Sequence, residues 1–99
     1  MQFQVHSIHF DADVKLINHV SERLNKLDVF FDHITDGEVF LRLDKSDVQE
    51  NKIAEIKLNV PGKELFAKKQ CKTFEEATDT AVEALRQQII KHKEKMRGL

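Results

Sequence analysis

The sequence predicts an α+β fold, a two-layer sandwich in which two helices cover one face of a four-stranded mixed sheet. The predicted order of elements is β-α-β-β-β-α. Hydrophobic residues recur at every second position in four segments, which is the period of a strand, and at every third or fourth position in two others, which is the period of a helix. A chain of 99 residues suffices for one such pair of layers, so we expect a single domain over residues 1–99.

The first strand and the first helix are predicted from the amino-terminal third of the chain. Phe3 and Val5 alternate with polar residues in residues 2–9, which predicts a strand with one buried face. Asp13 is placed to accept hydrogen bonds from the free amides at the start of a helix that ends near Asp28. The apolar stripe of this helix consists of Leu16, Ile17, Val20, Leu24 and Leu27.

Three more strands are predicted in the middle of the chain. Apolar and polar residues alternate in residues 38–43 and again in residues 54–60. Pro61 and Gly62 then form a turn, because proline presets φ and glycine accepts a positive φ. A hairpin should therefore pair the third strand with a fourth over residues 64–72, which directs Leu65 and Ala67 into the core. The first two strands, joined through a helix, should be parallel.

The second helix has the clearest start in the sequence. Thr73 and Glu76 have the spacing of a capping box, in which each side chain accepts from the other residue's backbone amide. Its buried stripe begins at Phe74, and the helix should run to about Lys95. Acidic residues in its first turn and lysines in its last turn suit the helix dipole.

Charge is unevenly distributed although the net charge is only −1. Residues 28–50 carry −5, residues 63–72 carry +3 and residues 84–99 carry +4. No signal peptide or membrane-spanning run is present in the sequence, and the one cysteine, Cys71, has no internal partner. We therefore expect a cytoplasmic protein with no membrane partner.

The residue types that could carry catalysis or bind metals form no recognisable motif in this sequence. There is no glycine-rich phosphate loop, and no serine has the context of a nucleophile. Cys71 has basic neighbours but no placed histidine, and His6 and His9 should point to opposite faces of a strand. We expect neither enzymatic activity nor a cofactor or metal ion.

Basic residues on the two helices indicate a polyanion as partner. Lys15, His19, Arg23 and Lys26 fall on one flank of the first helix beside its apolar stripe. On the second helix one flank carries Arg86, Lys93 and Arg97, and the other carries Lys91 and Lys95. Packed side by side, the helices could present one surface that binds RNA phosphates. DNA is disfavoured because no major-groove recognition helix is evident. The alternative is solvated helix faces with dipole compensation.

The sheet face away from the helices is a rival site. Ile8, Phe40, Ile53 and Phe66 are all predicted to point to this side. Exposed aromatic residues there could stack bases or bury against a second copy of the chain. The alternative hypothesis is thus a small regulatory interaction domain that forms a weak homodimer through this face.

Five segments resemble one known family in order and spacing. They are residues 22–27 (ERLNKL), 31–34 (FDHI), 54–65 (AEIKLNVPGKEL), 79–85 (DTAVEAL) and 91–95 (KHKEK). The chain resembles the ribosome hibernation factors, the family of hibernation-promoting factors and ribosome-associated inhibitors. It is most similar to the short members, which lack the carboxyl-terminal dimerisation domain of the long ones.

The resemblance implies the same β-α-β-β-β-α fold and a defined partner. It implies binding in the mRNA and tRNA channel of the small ribosomal subunit, where such factors inhibit translation during stress. Arg23 and Lys26 match basic family positions that face rRNA, and Lys91, Lys93 and Lys95 match the basic end of the second helix. Arg86 is displaced by one position from the family pattern, and the fourth strand is more basic here. The rRNA-binding residues predicted in this way are Arg23, Lys26, Lys68, Lys69, Arg86, Lys91, Lys93 and Lys95.

Overall fold

The computed structural model describes residues 1–45 and 49–96, and the elements follow in the predicted order. Two residues used in the charge analysis, Asp47 and Arg97, lie outside the described residues. The strands and helices are β1 (Gln2–Ser7), α1 (Val14–Phe30), β2 (Asp36–Leu43), β3 (Lys52–Val60), β4 (Lys63–Cys71) and α2 (Phe74–Met96). The predicted fold class is confirmed.

The four strands lie side by side in the order β1-β2-β3-β4. β1 and β2 are parallel, as predicted, and the other two pairs are antiparallel. β1 is shorter than predicted because His9 adopts a left-handed backbone conformation with φ of 64°, which ends the extended chain. β3 begins two residues earlier than predicted, since Lys52 still pairs with Leu43.

The core lies between the helices and one face of the sheet. Four of the five predicted stripe residues of α1 are buried, and with the buried residues of α2 they pack on strand residues that alternate along β2, β3 and β4. The fifth, Ile17, is only half-buried. Its largest fully buried side chains include Leu24, Leu41, Ile56, Leu58, Leu65, Leu85 and Ile89. Because the helices occupy one face only, the layer they form is free to present its outer side and its flanks to a partner.

The predicted helix starts and turn are present, but only one of the two hydrogen bonds of the predicted capping box forms among the described residues. Asp13 accepts a hydrogen bond from the Leu16 amide at 2.8 Å, and Thr73 Oγ1 accepts from the Glu76 amide at 3.0 Å. Gly62 has a φ of 77°, which is the conformation expected of glycine in this turn. Neither helix has, over the described residues, an apolar stretch that could cross a membrane.

The two helices run in the same direction. Residues 19 and 23 of α1 contact residue 79 of α2, and residues 30 and 31 contact residues 86, 92 and 93. Both helices therefore end at the same side of the molecule, which we call the carboxyl pole. The acidic segment 28–50 is divided between two poles, because Asp36 begins β2 at the carboxyl pole while Asp44 follows the other end of that strand.

Candidate RNA-binding surface

An ion pair joins the amino-terminal halves of α1 and α2. Asp79 Oδ1 accepts hydrogen bonds from Arg23 Nε at 2.8 Å and from His19 Nε2 at 2.7 Å. A second nitrogen of Arg23 lies 3.4 Å from Glu22. The structure thus places the predicted RNA-binding residue Arg23 on the flank of α1 that faces α2, where carboxylates already contact its guanidinium.

The ion pair shifts the pKa of both partners. Partial burial raises the pKa of Asp79, but the hydrogen bonds and charges of Arg23 and His19 outweigh it, so the pKa lies below its ordinary value of 3.8. The hydrogen bond to Asp79, together with its charge, raises the pKa of Arg23. Both groups are therefore charged throughout the physiological range.

Acid should weaken this ion pair. Since the pKa of Asp79 is lowered by folding, its stabilising contribution is present above the unfolded-state pKa and is lost as the pH falls through the folded-state pKa. We expect Asp79→Asn to lower the free energy of unfolding at pH about 6 and to differ little from the wild type at pH about 2. Urea unfolding at the two pH values measures this. An equal difference at both pH values would contradict a role for the Asp79 charge.

Two cations of α2 contact one aromatic ring at the end of α1. Arg86 Cζ lies 4.8 Å and Lys93 Nζ lies 4.4 Å from the centre of the Phe30 ring. Lys93 Nζ also donates a hydrogen bond to the Phe30 carbonyl at 3.2 Å. The lysine thereby satisfies a carbonyl that has no partner within the helix, at the negative end of the α1 dipole. The ring thus contacts both positive charges, and the carbonyl holds one of them, Lys93.

Phe31 anchors the same region from the inside. It is buried, and the buried His92 meets it edge-on with ring centres 6.0 Å apart. His92, which precedes Lys93, is thus a packing residue of the core edge. The sequence motifs predict no role for His92, but its spacing of three and seven residues from Ile89 and Leu85 on α2 is the signal that indicates a buried position.

The other flank of α2 lies along the edge strand β4. Gln88 Nε2 donates to the Phe66 carbonyl at 2.8 Å, so the residues three and seven positions later, Lys91 and Lys95, lie on the same flank. Both lysines are exposed. Lys69 points to the helix side of β4, as do Leu65 and Ala67. Within the described part of the chain these three lysines have no acidic partner.

Lys68 and Lys26 lie apart from these clusters. Lys68 points to the sheet face opposite the helices, where its Nζ is 3.8 Å from Glu55 Oε1. Glu55 is also paired with Arg42, whose hydrogen bond lowers the pKa of Glu55. Lys26 is largely exposed on α1, and its Nζ lies 3.6 Å from Glu22 one turn away. The structure therefore brings together Arg86 with Lys93 and places Lys91 and Lys95 on one flank of α2. Lys69 lies nearer the start of α2, because β4 and α2 are antiparallel and Cys71 meets Thr80 while Phe66 meets Gln88. Lys68 lies on the opposite face of the sheet.

The open sheet face combines aromatic rings with paired charges. His6 stacks on Phe40 with ring centres 4.9 Å apart and contacts Glu38 at 3.1 Å. Phe66 is 45% exposed, whereas Ile53 is only 4% exposed although its register places it on this side. The four predicted apolar residues thus form no continuous exposed patch, because one is covered and charged residues separate the others.

The described residues contain no group of three or more His, Cys, Asp or Glu side chains arranged to hold a metal ion. Cys71 is half-buried, and its Sγ lies 3.9 Å from Thr80 Oγ1. The side chains that meet on the Phe30 ring, Arg86 and Lys93, are both cationic, and such groups suit negatively charged partners.

The fold thus presents an α+β sandwich whose second helix carries exposed basic residues on its flanks. The chain matches the Sigma 54 modulation protein / S30EA ribosomal protein family over residues 3–97. It is 30% identical over 99 residues to the ribosome hibernation promoting factor of Pseudomonas putida, covering all of this chain and 93% of that protein. It is 33% identical over 95 residues to the factor of Azotobacter vinelandii, covering 96% of this chain and 85% of that protein.

Solved structures share the fold. A ribosomal subunit interface protein from Coxiella burnetii superposes with a TM-score of 0.84 at 19% identity, over 94% of this chain and 98% of that one. The amino-terminal domain of Thermus thermophilus Protein Y superposes with a TM-score of 0.76 at 22% identity, over 90% and 96% of the two chains. The chain belongs to the Sigma 54 modulation protein / S30EA ribosomal protein family, which confirms the resemblance found in the sequence.

Proposed function

We propose that the protein is a ribosome hibernation factor that binds the small ribosomal subunit and reversibly inhibits translation there. The observation that carries this proposal is the family match over residues 3–97, together with relatives of similar length that are named ribosome hibernation promoting factors. The proposed site is the channel for mRNA and tRNA. The role is one of binding rather than catalysis, and it places the protein in the cytoplasm with ribosomes.

The basic flanks of α2 supply the contacts to rRNA in this proposal. Arg86 and Lys93 are both held on the Phe30 ring, so little conformational entropy is lost when they meet phosphates. Lys91, Lys95 and Lys69 have exposed or half-exposed ammonium groups without acidic partners in the described chain. The folded body then excludes mRNA and tRNA by its volume, and no base-specific contact is needed.

Sedimentation with purified ribosomal subunits tests the proposed function. The protein should migrate with small subunits on a sucrose gradient and should be displaced by a leader mRNA together with initiator tRNA. The large subunit alone is the control. If the protein sediments with small subunits that hold mRNA and tRNA at the same time, the channel is not its site. If it sediments with neither subunit, ribosome binding itself is wrong.

The alternative hypothesis, self-association through the open sheet face, has a separate test. Phe66 is the most exposed ring on that face, and Phe40 stacks on His6. We expect Phe40→Ser combined with Phe66→Ser to leave sedimentation with small subunits unchanged, because neither ring lies on the helix layer. Analytical ultracentrifugation of both proteins measures the dimer. A dimer of the wild type that the double substitution abolishes, together with loss of ribosome binding, would favour the alternative.

A further inference from the structure

We infer that Asp79 is a positioning residue for the RNA-binding cations: it sets the register of α2 against α1, and this register places Arg86 and Lys93 on Phe30. The inference rests on the proposed function, because it assigns a role within the same surface. It gives an acidic residue a favourable role in the recognition of a polyanion, which its charge alone would not predict.

The spacing along the two helices is the first support. Arg23, which bonds to Asp79, lies seven residues before Phe30. Asp79 itself lies seven residues before Arg86, which covers the Phe30 ring. Since the helices are parallel and each rises 1.5 Å per residue, both intervals span about 10.5 Å, or two turns. If Asp79 fixes the axial position of α2 relative to α1, Arg86 is therefore held at the level of the Phe30 ring.

The geometry at Asp79 is the second support. Its Oδ1 accepts from His19 and Arg23, which are four residues apart on the same flank of α1. One carboxylate oxygen thus contacts two successive turns of the neighbouring helix. A slide of α1 by one turn, or a rotation that turns this flank outward, would break at least one of the two hydrogen bonds. The ion pair therefore limits both movements.

The contacts of Lys93 with the ring and the carbonyl of Phe30 need such a constraint. Lys93 must meet the ring and the Phe30 carbonyl with one ammonium group, at 4.4 Å and 3.2 Å. Its exposed neighbours Lys91 and Lys95 make no comparable contact with a ring or a carbonyl in the described chain. A shift of about 1.5 Å, the rise of one residue, would lengthen the bond to the carbonyl beyond hydrogen-bonding distance. Lys93 and Arg86 would then become mobile cations.

Substitution of Asp79 distinguishes positioning from plain electrostatics, because the two predict opposite signs. Asp79→Ala removes a negative charge from a basic surface, which by electrostatics alone should tighten binding to small subunits. Positioning predicts instead binding about fivefold weaker at equal salt, as preorganised cations are lost. Glu94→Ala is the matched control, since Glu94 is an exposed carboxylate of the same helix and contacts neither Arg86 nor α1 within the described residues. That variant should bind as tightly as the wild type or about twofold more tightly.

The contacts of Lys93 and Arg86 with the Phe30 ring can be measured without the ribosome. Protons on the side-chain carbons of Lys93 and Arg86 should show upfield ring-current shifts from Phe30 in the NMR spectrum of the free wild type. We expect these shifts to fall by more than half in Asp79→Ala, to be partly retained in Asp79→Asn, which keeps one acceptor oxygen, and to be unchanged in Glu94→Ala.

Two results would overturn the inference. The first is binding of Asp79→Ala to small subunits that is as tight as that of the wild type, or tighter. The second is unchanged ring-current shifts in Asp79→Ala, provided that its amide spectrum shows a folded protein. Failure of the proposed function has a different signature. In that case the wild type does not bind small subunits, while the NMR shifts still report whether Asp79 holds the cations on Phe30.

Discussion

Replacing Lys91 and Lys95 with glutamate should weaken binding to small subunits by about 100-fold at 0.1 M salt, the largest effect that we expect of any surface substitution. Both ammonium groups are exposed, and neither has an acidic partner in the described chain, so nothing internal is lost with them. Each substitution removes a phosphate contact and adds a repulsive charge. The unfolding free energy should fall by only about 1 kcal/mol, because Lys95 lies in the last turn of α2, where a positive charge suits the helix dipole.

The control is a double variant that has the same change in net charge but alters two lysines on other parts of the molecule. Lys45→Glu with Lys57→Glu alters one lysine at the end opposite the carboxyl pole and one on the open sheet face. This variant should bind within about threefold of the wild type, because charges farther than about 10 Å from the contact are screened. Equal losses in the two double variants would mean that overall charge, rather than the flank of α2, determines binding.

Leu85→Ala should produce the largest loss of stability, about 3 kcal/mol. Leu85 is completely buried on the core side of α2, against strand residues of the sheet. Its truncation removes apolar contacts and leaves a cavity that the close-packed neighbours fill only in part. The loss is a large share of the 5–15 kcal/mol that holds a typical domain together. Urea unfolding measures it through the midpoint at an unchanged slope.

Val29→Ala provides the comparison on the surface of α1. Val29 is 87% exposed, and its truncation should change the unfolding free energy by less than about 0.5 kcal/mol. A loss of under about 1 kcal/mol in Leu85→Ala would show that α2 does not pack on the sheet as described. At temperatures where Leu85→Ala remains folded, its affinity for small subunits should be close to that of the wild type.

The fold could be predicted from the sequence because each local signal agrees with the others. The alternation of Leu65 and Ala67, the cap at Asp13 and the turn at Gly62 all act over a few residues, where the chain alone determines the outcome. The end of β1 could not be predicted in the same way. It depends on the positive φ of His9, a residue type that adopts this conformation infrequently.

The candidate site could be predicted only in part. The sequence places Arg86 and Lys93 on one flank of a helix, but it does not reveal that the flank meets Phe30, because that contact depends on how two distant helices pack. The pairing of Arg23 with Asp79, 56 residues away, was missed for the same reason. The grouping of Lys68 with Lys69 is different. The period of two in β4 already directs them to opposite faces.

The most direct test of the central claim is the salt dependence of wild-type binding to purified small subunits. The proposed contacts are four cations of α2, Arg86, Lys91, Lys93 and Lys95, together with Lys69 of β4. If they meet rRNA phosphates, the logarithm of the affinity should fall linearly with the logarithm of the salt concentration, with a slope of about −3.5 to −4.5. In the Lys91→Glu and Lys95→Glu double variant the slope should be shallower by about 1.4–1.8. A wild-type affinity that does not change with salt would contradict binding through these cations.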